Sequence, residues 1–494
     1  MVTNVAGTLP TGLTERWLDR KRYLWLLALV MPLLPFVAVG LHAVTGRGFW
    51  LWIGPIVILG VVPCVDFMLG LDRANPPDEL IPALEADRYY RWLTYLFLPL
   101  QYVGLLTGAW VIAHSDLTRL DTIGLALTVG FIGGLGINTA HELGHKKESV
   151  ERWLAKIALA PSGYGHFYIE HNRGHHVRVA TPDDPASSRV GESFYQFWPR
   201  TVGGSVASAW RLERRRYARR GQHPFRLDND IINAWLMTAV LWSAMIAWLG
   251  VIILPFLMLQ ALVAITLLEA VNYLEHYGML RQRVGIGEHE HWERVAPSHS
   301  WNSNNMATNV LLYHLQRHSD HHANPTRRYQ ALRDYAESPT LPTGYAGMIL
   351  LALVPPAWRR VMDPLVLRHF DGDITRANIA PARRDRVLAA YPPRGTVDLA
   401  PSIVSNVRTS IIEIEQTITR LDIEGAAPVN ARCPACGYTY DETRGDAREG
   451  FTPGTPWAAV PDRWVCPDCG VRDKTDFVVT LRVAADASRS AATP

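Results

Sequence analysis

Charged side chains are scarce. Asp, Glu, Lys and Arg make up 19% of the 494 residues, and the net charge is +3. A balance so near neutral gives no footing for nucleic-acid binding, which needs a basic face. Cysteine is scarcer still, with five in the chain. That excludes a disulfide-stapled secreted domain and points to a reducing compartment. No GxGxxG fingerprint follows a strand, so no dinucleotide site of its own is expected. About twenty mixed residues precede the first apolar run, and no small-residue cleavage site follows it, so no removable signal peptide is expected.

What the chain does have is apolar length. Hydrophobic residues make up 48% of it, concentrated before about residue 280, while the end reads as ordinary soluble sequence. A helix of about twenty apolar residues crosses the hydrocarbon core. Six such runs are predicted, near 23–44, 49–71, 91–114, 119–140, 232–249 and 251–275. None has a charge at its centre; Asp66 lies at the margin of the second. Tyr23, Trp25, Trp50, Trp52, Trp92 and Trp110 lie toward run ends, as in aromatic belts. Basic residues fall on alternate connections. Arg16, Arg20, Lys21 and Arg22 precede the first run, Arg73, Arg88 and Arg91 follow the second, and RLERRRYARR (211–220) follows the fourth. The positive-inside rule then puts both termini, the 141–230 loop and everything after about 276 in the cytoplasm.

Histidines cluster on that same side, in HELGH (141–145), HNRGHH (171–176) and HSDHH (318–322), with His276 in NYLEHYG. Neutral imidazole is the commonest side-chain metal ligand and suits iron, zinc and copper. Residues i and i+4 share a helix face. His141 with His145, His171 with His175, and His318 with His322 have that spacing, and His176, His276 and His321 complete nine candidate ligands. One zinc needs three or four ligands; nine suit two metals of higher coordination. An acid stands within each cluster: Glu142, Glu170, Glu275 and Asp320. These are expected to accept the second N–H of the ligand rings. His42, His114, His166, His223, His299 and His369 read as capping or hydrogen-bonding residues, and His314, one turn before His318, is left out of the ligand set. HELGH by itself also fits the HExxH zinc-peptidase motif with Glu142 as base, but that leaves seven of the nine histidines idle.

Taken together, HELGHK, EHNRGHH, NYLEHYG and LQRHSDHH resemble the integral-membrane diiron hydroxylases and desaturases, and within them the AlkB-type alkane 1-monooxygenases. The resemblance covers roughly residues 20–370. It implies a non-haem diiron site that uses O₂ to hydroxylate the terminal carbon of a medium- or long-chain n-alkane in a bacterial inner membrane. The nine histidines would be both metal ligands and catalytic residues. A fatty-acyl desaturase or hydroxylase of the same superfamily is the alternative. An alkane partitions into the bilayer and offers no polar handle, so shape in an apolar channel must select the carbon attacked.

CPACG (433–437) and CPDCG (466–470) supply four thiolates, Cys433, Cys436, Cys466 and Cys469. Tetrahedral sulfur sites hold zinc or iron, and a zinc ribbon is the bland alternative. The flanks CPACGYTYD, FTPGTPW and VPDRWVCPDCGVRDKTDF resemble rubredoxin almost end to end, with Tyr438, Tyr440, Trp457, Trp464 and Phe477 as its small aromatic core. Rubredoxin implies one iron passing one electron at a time, reduced by a separate NAD(P)H-dependent flavin reductase. The expected architecture is an all-α six-helix transmembrane bundle with a cytoplasmic histidine-rich diiron domain (1–374), a linker with an amphipathic helix (375–430), a rubredoxin-like four-cysteine iron domain (431–482) and a disordered tail (483–494). The linker helix is expected from Ile403, Val407, Ile411, Ile414, Ile418 and Leu421, which recur at helical spacing. GFIGGLG (130–136) is expected to permit close helix packing, and GMILLALVPPAW (347–358), too short to span, to be interfacial or buried.

Overall fold

A computed structural model describes residues 19–285, 290–392, 429–462 and 464–481. The linker helix expected over 403–421 and the tail after 482 lie outside the described residues. The six apolar runs are helices long enough to cross a membrane: α1 Leu24–Thr45, α2 Gly48–Leu69, α3 Arg88–His114, α4 Arg119–Gly144, α7 Asp230–Leu249 and α8 Val251–Glu275. Between α4 and α7 lie α5 Ser149–Leu159 and α6 Phe194–Arg219. Start signals are local. The side chains of Asp87, Thr118 and Asn229 accept from the N–H groups of Tyr89, Asp121 and Ile231, satisfying donors that a helix start leaves free.

Helix α4 is the hub. In its most apolar window 72% of residues are buried, against 17–44% for the other five spans. Its glycines are the reason. A Cβ on Gly130 would stand 2.7 Å from Val263 Cβ and 2.8 Å from the Gln260 carbonyl, and one on Gly134 would stand 2.6 Å from Leu267. Without Cβ atoms α4 lies directly against α8, as small residues allow between membrane helices. His141 lies in the last turn of α4, and His145 and His276 are the residues that cap the C-terminal ends of α4 and α8.

The polar end of the bundle is closed by shorter elements: α9 His318–Ala323, α10 Tyr345–Ala352, α11 Pro355–His369 and α12 Arg384–Ala390. The apolar stretch 347–358 breaks between α10 and α11. Met348 and Ile349 are buried, while Leu350, Leu353 and Val354 are exposed. The hydroxylase body extends past residue 374, where the sequence placed the start of a tether. Ala377, Ile379 and Val387 are buried in the same cluster as Trp358 and Tyr273, and the Asn378 N–H donates to the Gly278 carbonyl at 3.0 Å. Apolar residues that widely spaced look like a linker in sequence and act as core only where a groove receives them.

The cysteine module is a three-stranded antiparallel sheet, β1 Val429–Arg432, β2 Thr439–Asp441 and β3 Val478–Leu481, in the order β2-β1-β3. Tyr440, Phe451, Trp457, Trp464 and Phe477 pack over it with Cys433, Cys466 and Cys469. The module sits against the histidine-bearing end of the bundle.

Gly130→Ala should force α4 away from α8 and cost about 1–3 kcal/mol, the usual penalty of overpacking. A lowered thermal midpoint with lower metal content would bear this out; an unchanged midpoint would mean that the helices are not in the contact described.

Candidate metal centre

Four segments deliver the histidines. The last turn of α4 gives His141 and His145 on one face. Residues Glu170–His175 form a π-helical turn, wider than an α-turn and frequent at functional sites. The end of α8 gives His276, and α9 gives His318, His321 and His322. All nine are buried. They form two groups, each with its ligand nitrogens within 4.8 Å of one another: His141, His145, His171, His176 and His321 in one, and His175, His276, His318 and His322 in the other.

The π-turn decides a grouping that spacing in sequence leaves open. His171 does not share its group with His175. It shares it with His176, five residues on, with Nε2 atoms 3.0 Å apart. A turn closed by i→i+5 bonds stacks residues five apart, so adjacent His175 and His176 serve different groups.

Within the groups the rings face one another through Nε2. The His141–His321 and His318–His322 pairs are 2.8 Å apart, and His176–His321 and His276–His318 are 3.1 Å apart. Nε2 of His145 and of His175 is buried without a partner. Lone pairs crowded this closely repel unless a cation lies among them, and protonating every ring would bury several positive charges together. Burial, with the neighbouring rings, pushes His145, His171, His176, His318, His321 and His322 well below the usual histidine range, and burial does the same for His276. Neutral rings are the ligand form. The donor set therefore fits two metal ions, one with five imidazoles and one with four.

The acids divide differently from expectation. Glu275 Oε1 lies 3.2 Å from His318 Nδ1 and accepts from the Tyr345 hydroxyl at 2.8 Å. The other three touch no ring. Glu142 pairs with Lys146 at 2.9 Å and accepts from the Tyr329 N–H; Glu170 pairs with Arg178 at 2.8 Å; Asp320 takes both oxygens to Arg327. These carboxylates point away from the rings along their own helices and tie the ligand segments to one another and to the loops around them. The residue that sequence reasoning missed is Asp184. Its Oδ2 lies 2.9 Å from His175 Nδ1 and accepts from Ser187 at 2.6 Å. Burial opposes its ionisation, but His175 and the Ser187 hydroxyl hold the carboxyl below the usual range. The only signal in sequence was an acid in the proline-flanked loop PDDP, eight residues past the last histidine of its cluster. His314 stands apart, bonded to the Tyr329 carbonyl at 2.8 Å and to Lys21 at 2.9 Å.

The four cysteines form the third cluster, with Cys433–Cys469 sulfurs 3.7 Å apart and Cys436–Cys466 sulfurs 3.5 Å apart. Its loops press on the histidine segment. Gly470, next to Cys469 and at φ +67°, lies where a Cβ would run into the Asn172 carbonyl and stand 3.7 Å from His176 Cβ. Lys147 Nζ donates to the Cys436 carbonyl. Glu449 of the module is clamped by Arg173 and Arg219, each at 2.9 Å, and Arg448 meets Asp230 at 3.1 Å. Arg173 belongs to the HNRGHH motif itself, so the docking contact and three of the clustered histidines share one short segment of chain.

Asp184→Asn should leave His175 free to turn and should lower metal retention about 10- to 100-fold, as losses of such ligand-orienting partners do. Glu275→Gln should act the same way through His318. Metal content after dialysis against a chelator measures both; full retention in either variant would remove that carboxylate from the centre.

The fatty acid desaturase family model matches residues 122–352, and the rubredoxin family model matches residues 430–477. Alkane 1-monooxygenase 1 of Alcanivorax borkumensis is 47% identical over 75% of this chain and 91% of its own length. Alkane 1-monooxygenase of Ectopseudomonas oleovorans is 46% identical over 76% of this chain and 93% of its own. The xylene/toluene monooxygenase hydroxylase component XylM of Pseudomonas putida is 26% identical over 74% of this chain and 94% of its own. A helical membrane bundle, two buried histidine groups and a four-cysteine module docked upon them accompany those matches, and the chain belongs to the alkane 1-monooxygenase family, with a rubredoxin domain at its C-terminal end.

Proposed function

We propose that this chain hydroxylates the terminal carbon of medium- or long-chain n-alkanes at two irons held by its nine histidines, using electrons from its own rubredoxin domain. The reaction takes the alkane, O₂, two electrons and two protons to the primary alcohol and water. Iron at the two imidazole groups supplies the oxygen reduction that an unactivated C–H bond demands. His141, His145, His171, His176 and His321 hold one ion, and His175, His276, His318 and His322 the other. Cys433, Cys436, Cys466 and Cys469 hold a third iron.

The observation that carries the reading is an apolar cavity at the foot of the histidines. Met31, Ile58, Leu135, Leu267, Leu312 and Ile349 line it, drawn from α1, α2, α4, α8, α10 and the segment before α9. Asn138 and Leu315, also on its wall, stand one turn before His141 and His318. A hydrocarbon chain entering from lipid would lie among aliphatic side chains with one end beneath the ligand rings. Shape then selects the terminal carbon, since nothing polar on an alkane can.

Electron delivery follows from the docked module. Gly470, next to Cys469, packs on the Asn172 carbonyl and beside His176, so a single van der Waals contact separates the cysteine loop from the histidine segment. Tethering raises the local concentration of the module to about the millimolar range. No GxGxxG fingerprint follows a strand in the sequence, so a separate NAD(P)H-dependent flavin reductase would supply it. The Lys/Arg bias supports a cytoplasmic position for this end of the bundle, both termini and the rubredoxin domain, in a protein we assign to a bacterial inner membrane.

Iron analysis and turnover of octane or dodecane with NADH and a rubredoxin reductase test the reading together. Three irons per chain and the 1-alcohol are expected; zinc, or an alkane left untouched, would overturn it. Leu267→Phe, far from the rings, should shorten the cavity. Excluding two methylenes at about 0.8 kcal/mol each should lower kcat/KM for the longest accepted alkane roughly tenfold and spare shorter ones. Glu449→Ala leaves Arg173 and Arg219 facing a gap, and loss of a buried charge pair costs about 2–5 kcal/mol at an interface. Reductase-driven turnover should fall at least tenfold with iron content unchanged. Undiminished turnover would place electron entry elsewhere.

A further inference from the structure

The Pro/Arg-rich segment after residue 380 has no part in the chemistry described, yet it folds back onto the bundle. Arg383 and Arg386, on and just before α12, face Arg359 and Arg360 of α11 across a cavity of about 450 Å³, with Val387, Pro364 and Tyr391 as its apolar wall. Among the described residues none of these four guanidiniums makes an ion pair with an acid. The one acid in the cavity, Asp363, is buried beside Arg359, and its Oδ1 accepts from the Tyr277 hydroxyl at 2.8 Å. Four cations against one committed carboxylate leave a strong demand for an anion.

Depth identifies which anion. Trp358, adjacent to Arg359, packs with its ring 4.9 Å from that of Tyr273 in the last turn of α8 and edge-on 5.2 Å from that of Tyr277 just beyond it. The arginines therefore stand where span α8 leaves the apolar layer. One turn earlier the chain exposes Leu350, Leu353 and Val354, side chains that suit acyl chains and not water. A cationic cavity opening beside an exposed apolar helix at the end of a span matches a phospholipid, with its phosphate among the arginines and its tails along α10. We propose that Arg359, Arg360, Arg383 and Arg386 bind the headgroup phosphate of an anionic phospholipid. Basic pockets among membrane helices serve this purpose generally. The proposal rests on the spanning helices and not on the reaction at the irons.

Full-length protein is compared by native mass spectrometry after equilibration with phosphatidylglycerol, with phosphatidylcholine, or with phosphatidylglycerol plus excess inorganic phosphate. Arg383 and Arg386 are exposed, so R383Q/R386Q leaves the core intact. Two lost surface cations predict about a thirtyfold fall in phosphatidylglycerol retention. Phosphatidylcholine binding and alkane turnover at saturating reductase should not change. R359Q/R360Q, made from the other wall, should show a comparable fall. Equal phosphatidylglycerol retention by either double variant and the parent would overturn the proposal, as would displacement of the lipid by inorganic phosphate.

Discussion

The proposed centre requires nine imidazole nitrogens to point at two small volumes with their lone pairs free. That constraint governs the polar end of this molecule. Bringing so many basic nitrogens together is unfavourable unless burial keeps them neutral and each ring is prevented from turning away. Burial comes from the bundle, since the ends of α4 and α8 and the helix α9 enclose the rings. Orientation comes from Asp184, hydrogen-bonded to His175, while Glu275 lies 3.2 Å from His318 Nδ1. The remaining acids hold the backbone. Asp320 grips Arg327, Glu142 grips Lys146, and Glu151 takes both ends of the Arg328 guanidinium at 2.8 and 3.0 Å. Arg317, just before His318, is fully buried and donates to the Leu332, Asp72 and Ala74 carbonyls. Breaking any one of these pairs would leave an uncompensated buried charge, which is why they serve as rigid struts.

The same segment that supplies three ligands also receives the electron-carrying module. Its π-turn turns Arg173 outward to Glu449 while turning His171 and His176 inward. Gly470 then closes the distance, because only a residue without Cβ can rest on the Asn172 carbonyl. Docking at this turn costs no separate binding surface, and a displaced module would be felt directly by the ligand rings. The apolar cavity approaches the rings from the opposite direction, through the membrane. In the proposed reaction electrons and hydrocarbon would reach the centre along separate paths, one polar and one apolar, with the imidazoles between them.

The sequence by itself determined the class of this protein: six apolar helices, the nine histidines, the four cysteines and the side of the bundle on which they meet. Those features are legible because hydropathy, ligand type and short-range spacing are properties of contiguous residues. It also placed GFIGGLG correctly as a packing surface. Tertiary structure alone decided the rest. It grouped the nine histidines five and four, since a π-turn cannot be told from an α-turn by spacing. It chose Asp184 over Glu142, Glu170 and Asp320 as a partner for a ring, because proximity in sequence does not fix where a carboxylate points. It buried Ala377, Ile379 and Val387 in the core and brought four arginines from α11, α12 and the residue before α12 around one cavity. Each of these depends on contacts between residues far apart in the chain, and the energy of such contacts is written in no local pattern.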